Sequence, residues 1–95
     1  MVVGTLEIQL RLQGCRSLKD KRRILRSLLD RLRQEFCVAI AEIGDHDLWG
    51  NSVVGVACVS NNSTHAESIP QHVVDAFDGH PEVEIEDCRR EICRQ

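Results

Sequence analysis

Thr5-Leu6-Glu7-Ile8-Gln9-Leu10-Arg11-Leu12 alternates without a break, with leucine or isoleucine at every even position and a polar residue at every odd one. A period of two buries one face of an extended strand and wets the other. After Gly14-Cys15-Arg16 the period changes. Leu18, Ile24, Leu25, Leu28, Leu29 and Leu32 recur at helical spacing and form one apolar face. Ser17 can accept from a first-turn N–H and Asp20 can reach back, so the helix starts there. The spacing carries it to about Gln34. A strand feeding such a helix is a β-α unit, and the rest of the chain decides which sheet it joins.

Phe36 to Ile43 is rich in apolar and β-branched residues and reads as a second strand. Asn51 to Ser60 reads as a third, apolar on both faces, joined to the second by a long connection from Gly44 to Gly50. Residues 64–78 form a second helix with Ala66, Ile69, Val73 and Phe77 inward. Pro70 either opens its main part or bends it. Gly79-His80-Pro81 stops it, and Val83 and Ile85 alternate with Glu82, Glu84 and Glu86 in a fourth strand. Cys88 and Ile92 have the opposite parity, which predicts a bulge near Asp87. The order βαββαβ, with right-handed crossovers, folds residues 1–95 as a single α+β domain of the ferredoxin-like kind. Its four antiparallel strands should run 4-1-3-2, with both helices on one face. The other face stays open and shows Glu7, Gln9 and Arg11. If Val54, Val56 and Cys58 point to the helices, Val53, Gly55, Ala57 and Val59 point outward beside Ala39 and Ala41. Such a flat apolar patch suits a homodimer.

Composition narrows the classes. With 42% hydrophobic and 28% charged residues the chain is globular rather than disordered. Its longest apolar run, Val53 to Val59, is too short to cross a bilayer, so no membrane role is expected. The N-terminal residues do not read as a signal peptide, and the cysteine count of 5 is odd. Reduced thiols in a cytoplasm are therefore expected.

Charge is unevenly placed. Nine of the twelve basic residues lie between Arg11 and Arg33, opposed there only by Asp20 and Asp30, a net +7 in a chain of net −3. On the first helix Lys19, Arg22, Arg23, Arg26 and Arg33 fall on one arc, interrupted by Asp30, which has Arg26 and Arg33 at pairing distance. Lys21 falls within the apolar arc. It either keeps its ammonium in water by snorkelling near the helix end or faces a partner. Arg16, Lys19, Lys21, Arg22, Arg23 and Arg26 are the candidates for contacting phosphates of RNA without reading its bases. Trp49, with His46 and Asp47 beside it in the hairpin connection, is the candidate contact for a protein partner.

Catalytic chemistries find little support. The central strands carry no aromatic residue on which an RNA-recognition motif would stack bases. Leu12-Gln13-Gly14-Cys15-Arg16 loosely resembles an acylphosphatase phosphate loop, but the position of that family's catalytic arginine falls at Leu18 and the second strand has no asparagine. Asp45-His46-Asp47 reads better as a solvated turn than as a metal site. Cys15, beside Arg16 and before a helix start, is a candidate for oxidation rather than catalysis, while Cys37 and Cys58 read as small core residues. No catalytic residue, cofactor, metal or small-molecule ligand is expected.

Three segments carry a resemblance to a known family. They are Arg16-Ser17-Leu18-Lys19-Asp20-Lys21-Arg22-Arg23, then Ala41-Glu42 with Asp45-His46-Asp47-Leu48-Trp49, and Gly55-Val56-Ala57-Cys58-Val59-Ser60-Asn61. On them the chain resembles the YlxP-like proteins, a small bacterial family of unknown function. The resemblance implies a ferredoxin-like fold. Genes of the family tend to lie beside translation and ribosome-maturation genes, so it also implies work on RNA or ribosomal particles. It brings no catalytic residues with it.

Overall fold

The computed structural model describes all residues from Met1 to Gln95. The elements are β1 (Val2–Leu12), α1 (Leu18–Phe36), β2 (Ala39–Gly44), β3 (Asn51–Ser60), α2 (Ser63–Asp78) and β4 (Val83–Arg94). The strands pair antiparallel in the order β2-β3-β1-β4, which is 4-1-3-2 from the other edge. Even-numbered residues of β1 face the helices, and Leu6, Ile8 and Leu10 are almost wholly buried. Val54, Val56 and Cys58 of β3 join them, with Leu28 and Leu32 of α1 and Val73 and Phe77 of α2. Each such side chain contributes about 1.5–3 kcal/mol by leaving water.

α1 starts as its sequence requires. The Ser17 hydroxyl accepts from the Asp20 N–H at 3.1 Å, and the Asp20 carboxylate accepts from the Arg16 N–H at 3.3 Å. Its end differs from the expectation. The helix continues to Phe36, and β2 begins only at Ala39. Phe36 falls four residues after Leu32 on the apolar face and packs against the core, so the helical period outweighs the local β preference. Cys37 then caps the helix in the left-handed region at φ 52. It is exposed there, not the small core residue expected of a strand position.

α2 is one helix from Ser63, capped by the Asn62 side chain, with Pro70 inside it. A proline at this place removes the N–H that would reach the Ala66 carbonyl. That carbonyl turns toward the sheet instead, accepting from the Cys58 thiol at 3.8 Å. It also crosses β1 so closely that a Cβ on Gly4 would lie 2.8 Å from it. Gly4 is thus fixed by the passage of α2 over β1.

The bulge falls where parity slips. Gln9 pairs with Asp87 but Leu10 with Ile85, leaving Glu86 as the extra residue. A second irregularity puts Ile43 outside the β2–β3 register, and its side chain lies over Gly55. On the uncovered face Arg11 reaches Glu86 at 3.1 Å. Arg89 and Glu91 line one side of a shallow hollow there, with Ile43 and Gly55 opposite.

Candidate functional site

The exposed side of α1 carries a cluster of four cations. At about 100° per residue, Lys19, Arg22, Arg23 and Arg26 turn away from the leucines and line an open trough bordered by Asp20, Ser27 and Asp30. None of these four cations forms an ion pair; the four ion pairs of the molecule involve Arg11, Lys21, Arg33 and Arg94. Arg33, the fifth member of the arc, is held by Asp30 at 2.6 Å and by the Ile40 carbonyl at 2.7 Å, tying the last turn of α1 to β2. Arg16 stands exposed in the segment leading into the helix.

Lys21 corrects the expectation of a phosphate contact or a partner-facing charge. It is 1% exposed, the one charged side chain so completely buried. Its Nζ donates to the carbonyls of Asp45 at 2.6 Å, Leu48 at 2.5 Å and Asn51 at 2.8 Å. The Glu42 carboxylate lies 2.8 Å away and also accepts from the Ser52 hydroxyl at 2.7 Å. An ammonium has three protons for these four oxygens, so two of them share one. Snorkelling is impossible because the β2–β3 loop closes over the helix end, and the charge is neutralised where it lies. Lys21 is therefore a fastener: it fixes both ends and the middle of the loop to the first turn of α1. Glu42 and Ser52 complete it; Glu42 stands in the sequence only as part of the family resemblance, and Ser52 not at all. The available signal was periodicity: Lys21 lies on the leucine face of α1, and Glu42 and Ser52 share the strand parity of Ile40 and Val54.

What the fastener holds is the expected partner contact. Asp45, in the left-handed region at φ 57, closes a turn through its carbonyl and the Leu48 N–H at 3.0 Å. His46 and Asp47 are exposed at its tip, with His46 Nε2 3.3 Å from the Glu42 carbonyl. Leu48 and Trp49 each remain 50% exposed. The Leu12 N–H binds the Gly50 carbonyl at 3.0 Å, so this loop also abuts the exit of β1. The structure thus gathers Arg16, the start of α1 and Trp49 at one end of the molecule.

The Gly14–Ser17 loop does not offer an anion cradle. Its Arg16 N–H already serves the Asp20 carboxylate. The Cys15 thiol, 3% exposed, donates to the Ser17 carbonyl at 3.3 Å. Buried and hydrogen-bonded, Cys15 is not the accessible, oxidation-prone thiol expected from its place beside Arg16. Asp45, His46 and Asp47 do not converge with other side chains on a common point. No helix is long and apolar enough to cross a membrane.

Solved structures share the architecture. A de novo designed protein with a ferredoxin fold superposes with a TM-score of 0.59 at 12% identity, over 100% of this chain and 88% of that one. SnoaB, a cofactor-independent oxygenase from Streptomyces nogalater, superposes with a TM-score of 0.55 at 10% identity, over 100% and 96%. At such identities the likeness is one of fold. Sequence relationship is closer to the uncharacterized protein YlxP of Bacillus subtilis (strain 168), 35% identical over 83 residues, covering 87% of this chain and 90% of the relative. Residues 3–90 match the family model described as protein of unknown function, DUF503. The chain belongs to that family.

Proposed function

We propose that this protein is a cytoplasmic, non-catalytic RNA-binding protein that associates with ribosomal RNA or ribosomal particles through the exposed side of α1. The observation that carries the reading is the set of four cations, Lys19, Arg22, Arg23 and Arg26, aligned along one helix and unpaired. Left without internal partners, they favour a polyanion whose condensed counterions they displace. Arg16 extends the same charge toward the loop. A row of cations along one exposed helix face suits backbone phosphates of any sequence, so phosphate contact accounts for it without a base preference. Co-sedimentation with ribosomal particles through a sucrose gradient tests the reading. The protein should travel with particles at low salt and leave them at high salt, and the double variant Arg22→Glu, Arg23→Glu should stay at the top in both. Wild type remaining at the top at low salt overturns it.

A second reading rests on the uncovered sheet face. Ala39, Ala41, Gly55 and Ala57 line an apolar strip on β2 and β3, extended by Val59, 67% exposed. A second copy laid on that strip would bury it. Sedimentation velocity at micromolar concentration decides this point, since a pure monomer excludes it.

A further inference from the structure

Resting on the phosphate-binding reading of α1, we infer that the nucleic acid bound there is single-stranded and that one of its bases stacks on Trp49. Lys21 links the two parts. Its backbone belongs to the first turn of α1, between Lys19 and Arg22, and its ammonium grips the Leu48 carbonyl at 2.5 Å and that of Asn51 at 2.8 Å, on either side of Trp49. The indole is therefore carried by a loop fixed to the first turn of α1 on the side opposite the cationic arc, and a nucleic-acid strand reaches both by passing around the start of the helix beside Arg16. The residue is half exposed and lines a shallow hollow with Asp47, Leu48 and Gly50. An exposed indole on a fastened loop costs little further ordering when a flat ring settles on it.

Charge decides which part of a nucleotide meets the loop. Asp45 and Asp47 are exposed beside Trp49, whereas Arg16, Lys19, Arg22, Arg23 and Arg26 lie toward the helix. Phosphates are repelled from the loop and drawn to α1, so the group that reaches Trp49 is an uncharged base. A duplex does not meet this arrangement. Its bases are already stacked, and its second backbone would be pressed toward Asp47. An unpaired strand has free bases to offer, and stacking on an aromatic ring serves any of them.

Trp49 is the sole tryptophan of the chain, so its fluorescence reports the contact directly. Poly(U) and double-stranded poly(A)·poly(U) serve as probes at low salt, with binding followed independently by sedimentation. Poly(U) should quench Trp49 as it saturates the protein. Trp49→Ala should weaken poly(U) about 5- to 150-fold, the range of one lost base stack, and should leave duplex binding within about twofold. Circular dichroism checks that the variant is folded. If poly(U) binds wild type and Trp49→Ala equally, with no quenching, stacking is overturned while the phosphate reading stands. If wild type binds neither polymer, the phosphate reading fails and takes stacking with it. Tighter binding to the duplex overturns the preference for single strands.

Discussion

Replacing Lys21 with methionine keeps the length of the side chain and removes its charge and its donors. The magnitude follows from what is left behind. Breaking a buried ion pair from one side costs about 3–5 kcal/mol. The Glu42 side chain is 21% exposed and keeps the Ser52 hydroxyl at 2.7 Å, so it recovers some hydration and the lower end of that range applies. The carbonyls of Asp45, Leu48 and Asn51 lose their common donor, but they lie in or beside an exposed loop and can turn to water if it lifts. Methionine fills most of the space, which keeps the cavity contribution small. The net loss is about 3 kcal/mol, a large share of the ~5–15 kcal/mol that holds a small domain together. With a urea slope of ~1–1.5 kcal/mol/M for a chain of this size, the unfolding midpoint should fall by about 2–3 M. Circular dichroism follows the helices, while Trp49 emission follows the loop and should change in the folded variant before any urea is added. Lys21→Met combined with Glu42→Gln should cost less than the two single losses added together, because the orphaned carboxylate is gone. A single-variant loss below about 1 kcal/mol, with Trp49 emission unchanged, would falsify the claim that Lys21 fastens the loop.

Other perturbations probe separate parts of the account. Gly4→Ala sets a methyl against the Ala66 carbonyl and should cost about 1–3 kcal/mol by overpacking, read as a lowered urea midpoint. Asn62→Ala removes the acceptor shared by the Thr64 and His65 N–H groups and should cost about 1 kcal/mol in the same assay. Arg22→Glu with Arg23→Glu should leave stability within about 0.5 kcal/mol, since both residues are exposed and unpaired, while abolishing RNA binding in a gel-shift assay.

Much of this architecture can be read from periodicity. Alternation in β1, the leucine face of α1, the outward set of β3 and the slip near Asp87 each follow from one steric rule applied locally. Local rules stop short where a long-range partner decides. Phe36 looks like the start of a strand until its place on the helical face is weighed against its neighbours. Pro70 looks like a helix break until α2 is seen to turn the freed Ala66 carbonyl onto Gly4. The cationic trough was visible as a wheel, because exposure of charged residues is the default. Lys21 was not, because its burial depends on Glu42, Ser52 and three carbonyls that the fold brings together from β2, β3 and their loop. A cation on an apolar helix face reads as an irregularity alone, and as half of a pair once a carboxylate of core parity is found on another element.

The salt dependence of RNA binding bears most directly on the role given to α1. Each phosphate neutralised on a single strand adds about −0.7 to the slope of log affinity against log salt. Lys21 is neutralised internally, so the contacts come from Lys19, Arg22, Arg23 and Arg26, with Arg16 as the fifth. Binding of a single-stranded ribosomal RNA fragment across a salt series should give a slope of about −3 to −3.5, and Arg22→Ala with Arg23→Ala should reduce its steepness by about 1.4. A slope near zero, or one that the double variant leaves unchanged, would contradict the assignment of the helix as the phosphate-binding surface.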